Sequence, residues 1–414
     1  MSIEVRSKKV LGINGLGRMG KLTLWHHLQR GAFGEVVVNL GRSPGRSLQD
    51  LLDLIASDST YGALPRFLRG VHAEPRMRVV DGEKGLLEIE GVPVRVLRTA
   101  RNPKDVDWRA HGVRVVVDTT GVFLDPVSES AQGSLRGHLQ AGAEVVVASA
   151  PFKQKDKTAP LPDDAAMLIY GINHTAFDAR RHKVLSAASC TTTGLAHLMK
   201  PLFEAPPTSR VLTASMSTIH AATNSQSVLD SMPKDGAKDL RKTRATLNNI
   251  ILSSTGAAGA LEEILPAIRQ VGFMADAVRV PTATVSLINL NLTFHSPLDA
   301  AGQPAVSREV LNGIYRAAAA GPQRGLLRFS EVQNVSSDLA GVPAAVVVEG
   351  HETHTRLGMI ELTPEMLFGL GVQRDATLRI PVTHAKVFGW YDNEYGSYVC
   401  CLGGLTEYLA RSVG

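Results

Sequence analysis

The apolar positions of the first 150 residues fall in short, unbroken, β-branched runs: "KKVLGI", "GEVVVNL", "VRVVVDTTG" and "EVVVAS". Between them lie segments with apolar residues at helical spacing, from Met19 to Leu28, in "SLQDLLDLIA" and around "GSLRGHLQAGA". Continuous apolar strands alternating with helices predict a parallel, doubly wound sheet covered on both faces. From about residue 208 the pattern changes. "RVLTASMSTIHAAT" and "RVPTATVSLINLNLTF" are longer and alternate apolar with polar residues, which predicts an antiparallel or mixed sheet with helices packed on it. "GSYVCCLGGLTEYLARS" reads as a last helix.

The first strand, Lys9–Ile13, runs into "GINGLGRMG", which holds Gly15-x-Gly17-x-x-Gly20 and opens a helix carrying Leu22, Trp25 and Leu28. In a strand–turn–helix setting this spacing predicts a dinucleotide site. Gly15 permits the tight turn, Gly17 lets the backbone approach a pyrophosphate, and Gly20 allows close helix–strand packing. The helix N-terminus attracts the anion. The fold class is therefore α/β, a Rossmann-type sheet domain followed by an α+β catalytic domain. The expected boundaries are 1–188 and 189–393, with the last helix, about 394–414, packing back on the first domain.

The second strand ends "VVVNLGRS", with no Asp or Glu at the tip where an NAD site places an acid on the adenosine ribose. Leu40, Gly41 and Arg42 follow Asn39 there. An acid would repel a 2′-phosphate, whereas Arg42 could pair with one, so NADP is expected to be accepted beside or instead of NAD.

Composition adds boundaries. The 414 residues are 44% hydrophobic and 20% charged with a net charge of +5, an ordinary globular balance. The basic clusters are short and read as solvated faces, so no nucleic-acid partner is expected. No apolar run approaches a membrane span, and the N-terminus enters a strand without a signal-peptide pattern. Three cysteines, Cys190, Cys400 and Cys401, make no disulfide framework and suit a reducing compartment. A cytoplasmic location without membrane contact is expected.

Cys190 stands in "SAASCTTTGLAHL", and His220 follows in the alternating strand "STIHAATNSQ". Each alone reads as core packing. A thiolate, however, needs a nearby cation or helix dipole at neutral pH, and an imidazole supplies charge and a proton acceptor. "INGLGRMG", "DSTYG", "TTGVF", "ASCTT", "TIHAATNSQ", "DLRKTR", "NIILSSTGAAGAL", "RVPTATVS", "VSSD" and "WYDNEYG" occur in this order. In these motifs the chain resembles the phosphorylating glyceraldehyde-3-phosphate dehydrogenases over nearly its whole length.

The resemblance implies roles at matching positions. Cys190 would attack the aldehyde, giving a thiohemiacetal and then a thioester. His220 would stabilise the thiolate, take the hydroxyl proton and help bind the oxyanion. Inorganic phosphate would attack the thioester from a subsite of Ser189, Thr191, Thr255 and Gly256. The substrate phosphate would lie on Thr223 and Arg279, with Lys242 of "DLRKTR" assisting. Arg18 and Met19 would lie by the cofactor pyrophosphate, with Asn39 and Arg42 at the ribose. Arg101, Thr119, Thr120, Gly121 and Phe123 would line the adenine side, and Asn393 would hold the nicotinamide carboxamide. Partners would be a small-molecule substrate, phosphate and further copies of the chain in a homotetramer.

The chain also departs from the pattern. Leu40 replaces the family's Asp, Gly194 its second cysteine, Ser225 an Asp and Lys242 an Arg, and Ser397-Tyr398 inverts the usual Tyr-Ser. Extra segments lie around 231–238 and 345–385. The latter holds His351-x-x-His354, which lacks a third ligand and reads as a solvated turn, so no metal is expected. Two other functions fit the same departures: an erythrose-4-phosphate dehydrogenase-like paralogue, and an inactive nicotinamide-binding regulator or scaffold. Intact "SSTGAAGAL" argues against the first, and retention of Cys190 with His220 against the second.

Overall fold

The computed structural model describes residues 8–413 apart from Lys157, Ser225, Lys234 and Lys238. The chain divides into two compact units, residues 1–190 with 394–414, and residues 191–393.

The first unit is built on a nine-stranded sheet. Its strand order is Ala165–Met167, Val184–Ser186, Val145–Ala148, Val113–Asp118, Val10–Asn14, Glu35–Asn39, Val92–Leu97, Leu86–Ile89, Met77–Asp81. Neighbours are parallel up to Val92–Leu97, and an antiparallel hairpin closes that edge. The unbroken valine runs are explained by burial: Val115, Val116, Val117, Val145, Val146 and Val147 are all inside. Helix Arg18–Arg30 ends at Gly31, whose φ of 62° lets its N–H reach the His27 carbonyl at 3.0 Å. Helix Leu48–Ala56 starts on a reciprocal cap between Ser47 and Asp50, the kind of contact that contributes about 1 kcal/mol. At the C-terminus a π-helical turn, Tyr395–Val399, leads into helix Cys400–Ser412. Leu402, Leu405, Leu409 and Val413 join Leu22, Leu24 and Trp25 in one core.

The second unit holds a mixed, eight-stranded sheet. Val211–His220 lies between Gly272–Arg279, to which it is parallel, and Ser286–His295, to which it is antiparallel. Ser286–His295 pairs in turn with the long strand Leu378–Tyr391. Much of the extra segment is a hairpin arm: His354–Leu362 runs antiparallel to Leu378–Lys386, and helix Pro364–Gly369 caps its end. Met366, Phe368 and Leu370 are exposed there. His351 and His354 lie on the surface, held by the Glu331 carbonyl and the Glu352 carboxylate.

Gly194, in helix Cys190–Glu204, faces the sheet. A Cβ there would lie 3.3 Å from Ile288 and 3.5 Å from Tyr391. A cysteine side chain there would need Ile288 to give by a few tenths of an ångström.

Burial keeps three histidines uncharged. His26 and His220 are each lowered from 6.5 to about 4, and His27 is lowered well below 6.5. Between these values and 6.5 the unfolded chain binds more protons than the folded one. Their contribution is thus fully present above pH 6.5 and is lost as pH falls towards about 4. Urea midpoints measured at pH 7 and pH 5 should show the lower stability at pH 5.

Candidate active site

The glycine turn is held from behind. The Gly15 N–H donates to the Asn39 carbonyl at 2.8 Å, and Gly15 adopts φ 93°. A Cβ on Gly20 would lie 2.2 Å from the Gly15 carbonyl and 2.7 Å from the Thr119 hydroxyl, whereas one on Gly17 would meet nothing within 4 Å. Gly20 therefore serves packing, and Gly17 leaves open approach to the N-terminus of helix Arg18–Arg30. Gly20→Ala should drive the turn out of place and weaken NAD(P) by on the order of tenfold or more, read by a fluorescence titration of the reduced cofactor.

The Arg18 side chain is engaged elsewhere. It forms a two-point pair with Glu394 at 2.9 and 2.5 Å and a further bond to Asp58, and it lies 5.4 Å from the Tyr61 ring centre. These carboxylates hold its charge within the protein. Met19, half-buried, packs on the core from the same turn.

A buried polar chain ties the strand tips together. Asn39 Nδ2 donates to Asn14 Oδ1 at 2.8 Å, and Asn14 Nδ2 donates to Asp118 Oδ2 at 2.8 Å. His138 Nε2 lies 3.1 Å from the same oxygen, while Trp108 donates to His138 Nδ1 at 2.9 Å. The Trp108 bond fixes the His138 tautomer, so Nε2–H donates to Asp118. Asp118 Oδ1 accepts from the Thr120 N–H and hydroxyl, and the Thr119 hydroxyl donates to the Asn14 and Gly15 carbonyls. Asn39 thus positions the turn through its side chain. Gly121 follows at φ 66°, and Phe123 is half-buried.

At the second strand's tip Leu40 packs on the core. Arg42 is exposed, and Arg101 donates to the Gly41 carbonyl at 3.2 Å. Two arginines thus flank the position where an acid would stand.

Cys190 is half-buried and is the first residue of a 15-residue helix, where the dipole favours negative charge. The preceding turn is strained: Ala188 has φ 56°, a left-handed conformation costly for a residue with a Cβ. Ser186 accepts from the Ala188 N–H at 3.0 Å, and the Tyr398 hydroxyl donates to its carbonyl at 3.1 Å. The inverted Ser397-Tyr398 therefore supports the turn bearing Ser189 and Cys190. Ser189 is half-buried. Cys401 is buried, which pushes its thiol up and out of reach of nucleophilic chemistry.

In the second unit, the parallel register pairs His220 with Arg279 at the ends of their strands. Arg279 Nη1 lies 2.5 Å from His220 Nδ1, and Nδ1 is 2.7 Å from the Ala221 carbonyl. Burial, then the Arg279 charge, lower His220 to about 4. Both effects favour the neutral imidazole at pH 7. The Ala221 N–H donates to the Ser286 hydroxyl at 3.0 Å, and that hydroxyl donates to Asn393 Oδ1 at 3.1 Å. The Asn393 NH2 end is thus the one left to donate to a ligand. Thr191 follows Cys190 in the same helix. Its hydroxyl is buried and 2.9 Å from the Tyr391 hydroxyl, which also meets Thr218 at 2.7 Å. Any phosphate contact from Thr191 would come from its backbone.

Thr223 is half-buried, with its N–H donating to Gln226 at 3.0 Å. Lys242 is exposed on the short turn Leu240–Thr243. The Thr255 hydroxyl accepts from the Ala257 N–H at 3.2 Å, and Gly256, exposed, caps helix Ala257–Ile264. Ser225 lies outside the described residues.

Residues 9–126 match the model of the glyceraldehyde 3-phosphate dehydrogenase NAD-binding domain, and residues 189–363 that of the C-terminal domain. "Glyceraldehyde-3-phosphate dehydrogenase 1" of Streptomyces avermitilis is 34% identical over 388 residues, 93% of this chain and 94% of the relative. The chain belongs to the glyceraldehyde-3-phosphate dehydrogenase family. "Glyceraldehyde-3-phosphate dehydrogenase 2" of Bacillus subtilis is 31% identical over 403 residues, 97% of both chains. Membership makes this chain an NAD-dependent oxidoreductase. Among the described residues no helix is long and apolar enough to cross a membrane.

Several residues that position the site escape motif reading. Asn14, Asp118, His138 and Glu394 act through partners far away in sequence, and only Asn14 and Glu394 sit inside a recognised motif.

Proposed function

We propose that this protein catalyses the reversible phosphorylating oxidation of glyceraldehyde 3-phosphate to 1,3-bisphosphoglycerate with NAD(P) and inorganic phosphate. The observation that carries this reading is Cys190: a half-buried thiol at a helix N-terminus, after a strained turn, in a chain of this family. The Cys190 sulfur bonds to the aldehyde carbon. His220 takes the hydroxyl proton as hydride leaves for the nicotinamide, and a thioester remains. A phosphate oxygen then attacks the acyl carbon, the C–S bond breaks, and the thiolate leaves with the acyl phosphate as product. Ser189, Thr255, Gly256 and the Thr191 backbone serve the attacking phosphate. Arg279, Thr223 and Lys242 serve the substrate phosphate. Asn393 donates to the carboxamide.

The ribose end admits NADP, with Arg42 and Arg101 as the cationic side of the site. Arg42→Ala should lower kcat/KM for NADP by on the order of tenfold or more, with a smaller change for NAD, because a charge-assisted bond to the 2′-phosphate is lost. Assembly is a homotetramer, with the hairpin arm adding an apolar surface. The experiment that tests the reaction follows reduced-nicotinamide absorbance with each cofactor, with and without phosphate. Glyceraldehyde 3-phosphate is compared with erythrose 4-phosphate. Phosphate-dependent turnover favouring the triose supports the proposal, and no turnover with either cofactor contradicts it.

A further inference from the structure

Away from the candidate active site, helix Arg18–Arg30 and the C-terminal helix enclose an unusual cluster. One ring nitrogen each of His26 and His27 and a carboxylate oxygen of Glu407 lie within 4.8 Å of one another. The three side chains are inside the protein, at 6%, 2% and 7% exposure. Both nitrogens of both imidazoles lack a hydrogen-bond partner. A buried imidazole carries one donor and one acceptor, and native interiors satisfy nearly all such groups. Two imidazoles without hydrogen-bond partners, each with a nitrogen close to one carboxylate, therefore call for a ligand. An apolar packing role does not account for them, because an aromatic hydrocarbon side chain would fill the same volume at no polar cost.

The fit of the helices is specific to these rings. A Cβ on Gly403 would lie 2.1 Å from His26 Nε2, so only glycine leaves the His26 ring its place. His27 packs edge-on against Phe33, with ring centres 5.1 Å apart, and His26 lies 6.3 Å from the Tyr395 ring. Glu407 is held by Arg30 at 3.0 and 3.2 Å. The Arg30 side chain is 58% exposed, so it can turn out to solvent and free a carboxylate oxygen.

We propose that His26, His27 and Glu407 form a binding site for one divalent transition-metal ion, Zn2+ being the best match to two imidazoles and a carboxylate. This donor set is the one Zn2+ takes when three protein ligands leave a position for water. The bound ion ties the last helix to the first, with water completing its coordination, at a place separate from the redox chemistry.

The test uses the full-length protein in a Cys190→Ser background, so that the active-site thiol does not compete for metal. Zn2+ bound after equilibrium dialysis is expected at one equivalent per chain, with a higher thermal midpoint. His27→Phe and Glu407→Gln should weaken binding at least ~10-fold. Arg30→Ala, an exposed change that threatens no packing, should tighten it, because the competing cation is gone. Co2+ in place of Zn2+ should show the visible bands of a four- or five-coordinate nitrogen and oxygen site, without thiolate charge transfer. No Zn2+ bound would overturn the proposal. So would undiminished binding in folded His27→Phe and Glu407→Gln variants, or unchanged or weaker binding in Arg30→Ala.

Discussion

Cys190→Ser should abolish aldehyde oxidation, lowering kcat by at least about 10⁴-fold, while NAD(P) still binds. A serine hydroxyl stays protonated at neutral pH and is a far weaker nucleophile than a thiolate. The sulfur gains from the helix dipole because it can carry the negative charge. Cofactor binding should persist because the glycine turn, Thr119 and the Asn14–Asp118–His138 chain are separate from Cys190. Steady-state rates and a cofactor titration on the same preparation check both halves. Retained binding with lost turnover identifies the nucleophile, and loss of both would mean that Cys190 is structural.

His220→Asn should slow thioester formation by roughly 10²–10⁴-fold, the range for a lost acid–base group. The geometry adds a pH signature. With Arg279 donating to Nδ1 the ring proton sits on Nε2, and with Nδ1–H donating to Ala221 the Nε2 lone pair is the base. A substrate phosphate that draws Arg279 away favours the second state and removes the positive charge that lowers the imidazole. The acid limb of kcat/KM should thus lie near pH 4, the value for the free enzyme, and that of kcat should lie higher. Stopped-flow rates across pH check this. A His220→Asn protein with a near-normal rate would leave the residue a purely structural part.

The fold was legible because its signals are local. Unbroken valine runs need burial on both faces, and the glycine spacing needs a turn followed by a helix. The strand carrying His220 showed its alternation for the same reason. What the sequence concealed depends on partners distant along the chain. Nothing near Arg18 announces that Asp58 and Glu394 take its guanidinium, and nothing near Thr191 announces Tyr391. The charge state of His220 is also non-local, since it follows from burial and from a strand neighbour nearly sixty residues on. The close approach of Ile288 to Gly194 is likewise set by a strand nearly a hundred residues on. Nothing near His26 and His27 in sequence announces Glu407, which lies beside them in the fold.

The most direct test of the thioester route is a single mixing experiment with phosphate omitted. Enzyme, glyceraldehyde 3-phosphate and oxidised cofactor are combined, the reduced cofactor is counted, and the protein is then mapped by mass spectrometry. The account predicts a burst of one reduced cofactor per chain, an acyl adduct on the Cys190 peptide, and resumed turnover when phosphate is added. Continuous turnover without phosphate, or an adduct on any other residue, would contradict it.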